Sequence, residues 1–154
     1  MLKLGYRLTD RTEGREVYRS DDEAIDWDGS TEEAKQAYRD RFDCSGLTLK
    51  GEPTRWKVRV LTSQESAGCG ALGGFVWIQR MVLAARCALE LPGYEWTDGE
   101  GVVHQGLPRE QTSGLSLVRD DWWRQNIGTV HELFAIQVGR MALGDLPTEI
   151  EKKA

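Results

Sequence analysis

Apolar and polar positions alternate at the start of the chain. Leu2, Leu4, Tyr6 and Leu8 are separated by Lys3, Gly5 and Arg7, the period of a half-buried strand. From Thr9 to Gly29 the chain is polar and rich in Asp and Gly, with Val17, Ile25 and Trp27 as isolated apolar anchors. Residues 1–29 therefore read as an extended arm. Ser30-Thr31-Glu32-Glu33 then has the form of a capping box, in which the Ser30 hydroxyl accepts from the Glu33 amide and the Glu33 carboxylate reaches back. A helix is predicted from Thr31 to about Phe42, with a narrow stripe of Ala34, Ala37, Tyr38, Arg41 and Phe42, ended by Ser45-Gly46.

The middle of the chain has the strongest pattern. Pro53 opens a new segment, and Trp56, Val58 and Val60 alternate with Arg55, Lys57 and Arg59. This predicts a strand over 55–61 with one apolar and one basic face. Thr62-Ser63-Gln64-Glu65 is a second capping box, so the strand leads directly into a long central helix, about 63–90, stopped by Leu91-Pro92-Gly93. Phe75, Ile78, Val82, Ala85 and Leu89 form one apolar stripe, and Trp77, Met81, Ala84 and Ala88 form another. A helix apolar on most sides is expected between other elements or subunits, with Phe75, Ile78, Val82 and Leu89 buried. Gly68, Gly70, Gly73 and Gly74 lie in its first half. They fit close backbone packing with a kink, or a loop before a shorter helix. The charge-free stretch Ser66–Gln79 is 14 residues, short of the roughly 18–20 that span a bilayer.

The last third begins with a hairpin near 94–104: Tyr94-Glu95-Trp96 and Val102-Val103-His104 flank an Asp98-Gly99 turn signal. Residues 107–114 read as loop and 115–125 as helix, with Leu117, Val118, Trp122 and Trp123 as its apolar members. Thr129-Val130-His131-Glu132 is a third capping box, opening a helix to Leu143 with Gly144 as its cap, before a polar tail over 146–154. The expected class is α+β, mainly helical, with residues 1–154 as a single domain.

Composition narrows the function. The 154 residues are 40% hydrophobic and 29% charged, which fits a soluble globular chain with a sizeable core. The net charge of −5 argues against a general binder of nucleic acid or anionic membranes. The charge is unevenly spread: residues 1–53 carry 9 basic and 13 acidic side chains, 54–90 carry 5 and 2, and 91–154 carry 6 and 10. Cys44, Cys69 and Cys87 form neither a CxxC pair nor a disulfide framework, the pattern of a reducing compartment. No secretory signal pattern is visible at the N-terminus.

The catalytic inventory is thin. His104 and His131 lie in different elements with no HxxE, HxH or CxxC partner. The glycines at 68–74 lack the Lys-Ser/Thr of a phosphate loop, and Gly114-Leu115-Ser116 lacks the second glycine of a nucleophile elbow. The carboxylates of Asp98 and Glu100 fit a hairpin tip, and Asp21, Asp22, Glu23, Asp26 and Asp28 a solvated arm. The expectation is a non-enzymatic chain with no catalytic residue, no metal and no cofactor.

Interaction surfaces remain. Arg55, Lys57 and Arg59 could meet phosphates or, in an acidic protein, its own carboxylates. The chain holds six tryptophans, and Trp favours large flat contacts. Trp27, Trp96, Trp122 and Trp123, with the arm residues Val17 and Ile25, are candidate partner contacts.

Gly51-Glu52-Pro53-Thr54, Trp56-Lys57-Val58-Arg59-Val60-Leu61-Thr62 with Glu65, and the later Glu132-Leu133-Phe134-Ala135-Ile136 are the motifs that carry a resemblance. The order of elements over about 35–150 resembles small morphogenesis proteins encoded in the head and tail regions of tailed bacteriophages. The specific likeness lies in about 53–65 and 129–144, and the Gly-rich helix start departs from the pattern. The resemblance implies a virion structural or tail-assembly role through protein contacts, in homo- or hetero-oligomers, in the host cytoplasm and then the virion. Two other classes stay open: a small enzyme or ligand-binding domain built around His104 or His131, and a regulatory nucleic-acid binder using the basic strand face.

Overall fold

A computed structural model describes residues 14–74, 76–128 and 132–144. The strand expected at Leu2–Leu8, Phe75, the capping box and histidine at 129–131, and the tail over 146–154 lie outside the described residues. The elements in chain order are β1 Arg15–Val17, α1 Glu32–Arg41, β2 Trp56–Val58, α2 Ser63–Gly73, α3 Trp77–Ala88, β3 Leu89–Glu90, β4 Glu95–Thr97, β5 Val103–Gln105, β6 Arg109–Thr112, β7 Leu115–Val118, α4 Asp120–Asn126 and α5 Glu132–Ala142. Helices alternate with small antiparallel sheets, an α+β fold.

The three-stranded sheet has the order β1-β2-β3. Val17 pairs with Trp56, and Val58 lies between Arg15 and Leu89. Period-two alternation then puts Val17, Trp56, Val58 and Leu89 on one face, and all four are buried. The opposite face carries the row Glu16–Lys57–Glu90, an acid on each side of a base.

The first arm is folded onto the body from residue 14 onward. Val17 is fully buried in β1, and Ile25 is buried at an isolated antiparallel bridge to Leu49. Aspartates shape the polar stretch between them: Asp22 accepts from the Ala24 and Thr54 amides at 2.9 and 2.8 Å, and Asp26 accepts from Gly29 at 3.0 Å. The apolar anchors are isolated in sequence because side-chain turns, rather than a periodic element, bring them to the core.

Helix α1 starts one residue later than the capping box predicts. Thr31 is the N-cap and its hydroxyl accepts from Ala34 N at 3.1 Å. Ser30 is instead buried, donating to Asp26 O at 2.7 Å and accepting from Thr48 N at 3.0 Å. The helix ends where expected, at Phe42, a non-glycine C-cap in the left-handed region with φ 54. Its buried ring packs edge-on against Tyr38 and Phe134. Thr31→Ala is expected to cost about 1 kcal/mol and to speed hydrogen exchange at the Ala34 amide. Ser30→Ala should leave that amide's local protection in place. Exchange monitored by NMR separates the two.

The long central helix is two helices. The capping box at Thr62 and Glu65 forms, with both reciprocal hydrogen bonds. The helix then ends at Gly73, and Gly74 adopts φ 61 and ψ −139, a conformation suited to glycine. Gly73 itself permits close approach, since a Cβ there would lie 3.0 Å from Arg80 N. Residues 89 and 90 leave the helix to form β3. Helix α3 buries Met81, Ala84, Ala85 and Ala88 and packs on α5, where a Cβ at Gly139 would stand 2.3 Å from Met81 O. Of the four residues expected in the core, Leu89 is buried, Val82 is half-buried and Ile78 is exposed. Burial changes along the helix rather than between the stripes: Trp77 and Ile78 of its first turn are exposed, whereas Ala84, Ala85, Ala88 and Leu89, drawn from both stripes, are buried.

The segment predicted as loop and then helix is a hairpin followed by a short helix. Strand β6 pairs with β7 from Arg109↔Val118 to Thr112↔Leu115. Ser113 and Gly114 both have positive φ, 50 and 83, which makes the two-residue turn of a tight hairpin. Arg86 of α3 holds this unit: it donates to Val118 O at 2.9 Å and pairs with Glu110 at 2.8 Å. Across the core, rings of Trp27, Tyr38, Phe42, Phe134, Trp56, Trp122 and Tyr94 contact one another in that order, at centroid separations of 5.5 to 6.4 Å.

Candidate interaction surface

Most of the residues singled out in the sequence make contacts within the chain. Trp123 is buried. Trp122 is half-buried and donates its indole N–H to Tyr94 Oη at 3.0 Å. Trp27 lies edge-on to Tyr38 at 5.5 Å, with the Arg39 guanidinium 5.5 Å from its ring. Trp96 is stacked on His104 at 4.4 Å, with Arg119 at 5.6 Å. With Val17 and Ile25 in the core, no member of this set is largely exposed.

The basic strand face is neutralised by neighbouring acids. Arg55 pairs with Glu16 and, at 3.2 Å, with Glu52. Arg59 makes a two-pronged contact with Glu65, at 2.8 and 2.6 Å. Lys57 is exposed between the register partners Glu16 and Glu90. A phosphate approaching this face would have to displace carboxylates already in place.

Glu65 is the most perturbed carboxylate. The Arg59 guanidinium, reinforced by the Thr62 amide, holds its pKa down at about 2 against partial burial. Cys87 donates its thiol to the same carboxylate at 3.5 Å. Burial pushes the Cys87 and Cys44 thiols up to about 11, and Cys69 is raised for the same reason. All three cysteines are free and buried, so they behave as small apolar residues rather than nucleophiles.

The His104 ring meets Asp98 at 2.7 Å on the β4–β5 hairpin. That hydrogen bond lowers the Asp98 pKa, helped by the Val102 and Glu100 amides. The pair braces the turn of the hairpin. It borders neither of two clefts, one lined by Glu90, Leu91, Pro92, Gln105, Gly106, Leu107 and Arg109, the other by Arg19, Asp21, Asp22, Glu23, Thr54 and Trp56. In the first cleft the Arg109 guanidinium is spent on backbone carbonyls, among them Leu89 O at 2.5 Å and Ser116 O at 3.2 Å. Among the described residues, no group of three or more His, Cys, Asp or Glu could hold a metal ion, and no helix is long and apolar enough to cross a membrane.

A run of exposed apolar side chains lies elsewhere, at the corner between α2 and α3, while Leu49, Val102, Val103 and Leu133 are exposed at other positions. Leu72 is 40% exposed, Val76 52%, Trp77 53% and Ile78 44%. They fall within seven consecutive positions because Gly74 breaks the helix there. Trp77 and Ile78 open α3 ahead of Met81, the first buried residue of that helix. Val76, the N-cap of α3, makes no side-chain capping bond. These residues fall within the charge-free stretch 66–79, and Arg80, the next residue, packs against Gly73. Large apolar residues clustered on a surface mark contact sites in soluble proteins. Sequence reasoning assigned Trp77 and Ile78 to buried stripes. The signal that points to them is the Gly73-Gly74 pair immediately before an uncharged aromatic-aliphatic run.

The chain was compared with known proteins. It matches no family model, no curated protein and no solved structure.

Proposed function

We propose that this chain is a non-catalytic protein-contact component of a tailed-bacteriophage particle, or of the pathway that assembles one. The observation that carries the reading is the exposed apolar run of Leu72, Val76, Trp77 and Ile78 at the α2–α3 corner. Support also comes from the resemblance of residues 53–65 and 129–144 to head- and tail-region morphogenesis proteins. The corner would act by burying its side chains against a partner, at about 25 cal/mol per Å² of apolar area removed from water. The acidic excess of residues 1–53 and 91–154 would fix orientation. In this reading the chain works in the host cytoplasm during assembly, and then in the virion if it stays with the particle.

Quantitative mass spectrometry of purified particles and assembly precursors, from the phage that encodes the chain, tests the reading. A fixed copy number in either fraction is expected. Absence from both would overturn it.

A further inference from the structure

We draw no further inference here: the strongest candidate, the exposed apolar run of Leu72, Val76, Trp77 and Ile78 at the α2–α3 corner, belongs to the surface already described, and nothing in the structure shows what covers it.

Discussion

Gly139→Ala is expected to destabilise the protein by about 3 kcal/mol, the upper end of the usual cost of overpacking a core. In an isolated helix the same change would be favourable by about 1 kcal/mol, because alanine is the better helix former. Tertiary contact reverses the sign. The added Cβ would stand 2.3 Å from Met81 O and 2.9 Å from the carbonyl carbon beside it. Both are backbone atoms of α3, which cannot yield as a flexible side chain would. Helices α3 and α5 must separate, and the separation opens the layer formed by Ala84, Ala85, Val138 and Ala142, all fully buried. Urea denaturation followed by circular dichroism measures the effect. A midpoint equal to or above that of the parent would mean that the two helices do not approach this closely.

Glu65→Gln is the second large effect and carries a pH signature. The Glu65 carboxylate accepts two hydrogen bonds from Arg59, one from the Thr62 amide and one from Cys87. Its pKa of about 2 in the folded chain lies below the ordinary 4.5. Stabilisation from the ionised form is therefore fully present above pH 4.5 and is lost as pH falls from there toward 2. Allowing for the screening of a partly exposed pair, that contribution is about 2 kcal/mol. The amide keeps the shape but removes the charge, leaving Arg59 without its closest counter-ion, so a loss of about 2–4 kcal/mol at pH 7 is expected. The parent should lose stability steeply between pH 4.5 and 2, and the variant less steeply. Identical slopes would show that other carboxylates govern the acid limb.

The parts of the fold legible in the sequence were those decided by local chemistry. The Thr62/Glu65 capping box, the alternating Trp56–Val58 strand and the Asp98–Gly99 hairpin signal each depend on a few adjacent residues. Ser30 misled because two hydroxyl residues stand side by side, and the bonds Ser30 makes to Asp26 and Thr48 reach across a loop. Leu115-Ser116-Leu117-Val118 misled because so short a run with three apolar residues fits a strand or a helix turn equally. The Ser113-Gly114 turn that decides for the strand lies just outside the run. The central helix posed a harder problem. With few polar residues to mark an outer face, both stripes are apolar, and the structure divides them along the helix instead: Ala84, Ala85, Ala88 and Leu89 are buried, and Trp77 and Ile78 of the first turn are exposed. The candidate surface follows from that division. Trp27, Trp96, Trp122 and Trp123 have ring or hydrogen-bond partners within the chain or lie buried, whereas Trp77 stands out at the break after Gly74. Aromatic type alone cannot separate those cases.

In the proposed reading the α2–α3 corner carries the contacts by which the chain enters an assembly. The most direct test of that claim is the copy number per particle, or per precursor, of a Trp77→Glu/Ile78→Glu double variant against the parent, by quantitative mass spectrometry. The thermal melts of the two purified proteins serve as the folding control. A folded variant reduced at least tenfold in the assembled fraction is the predicted result, corresponding to about 1.4 kcal/mol or more of lost contact energy. A folded variant incorporated at the parent's copy number would contradict the claim.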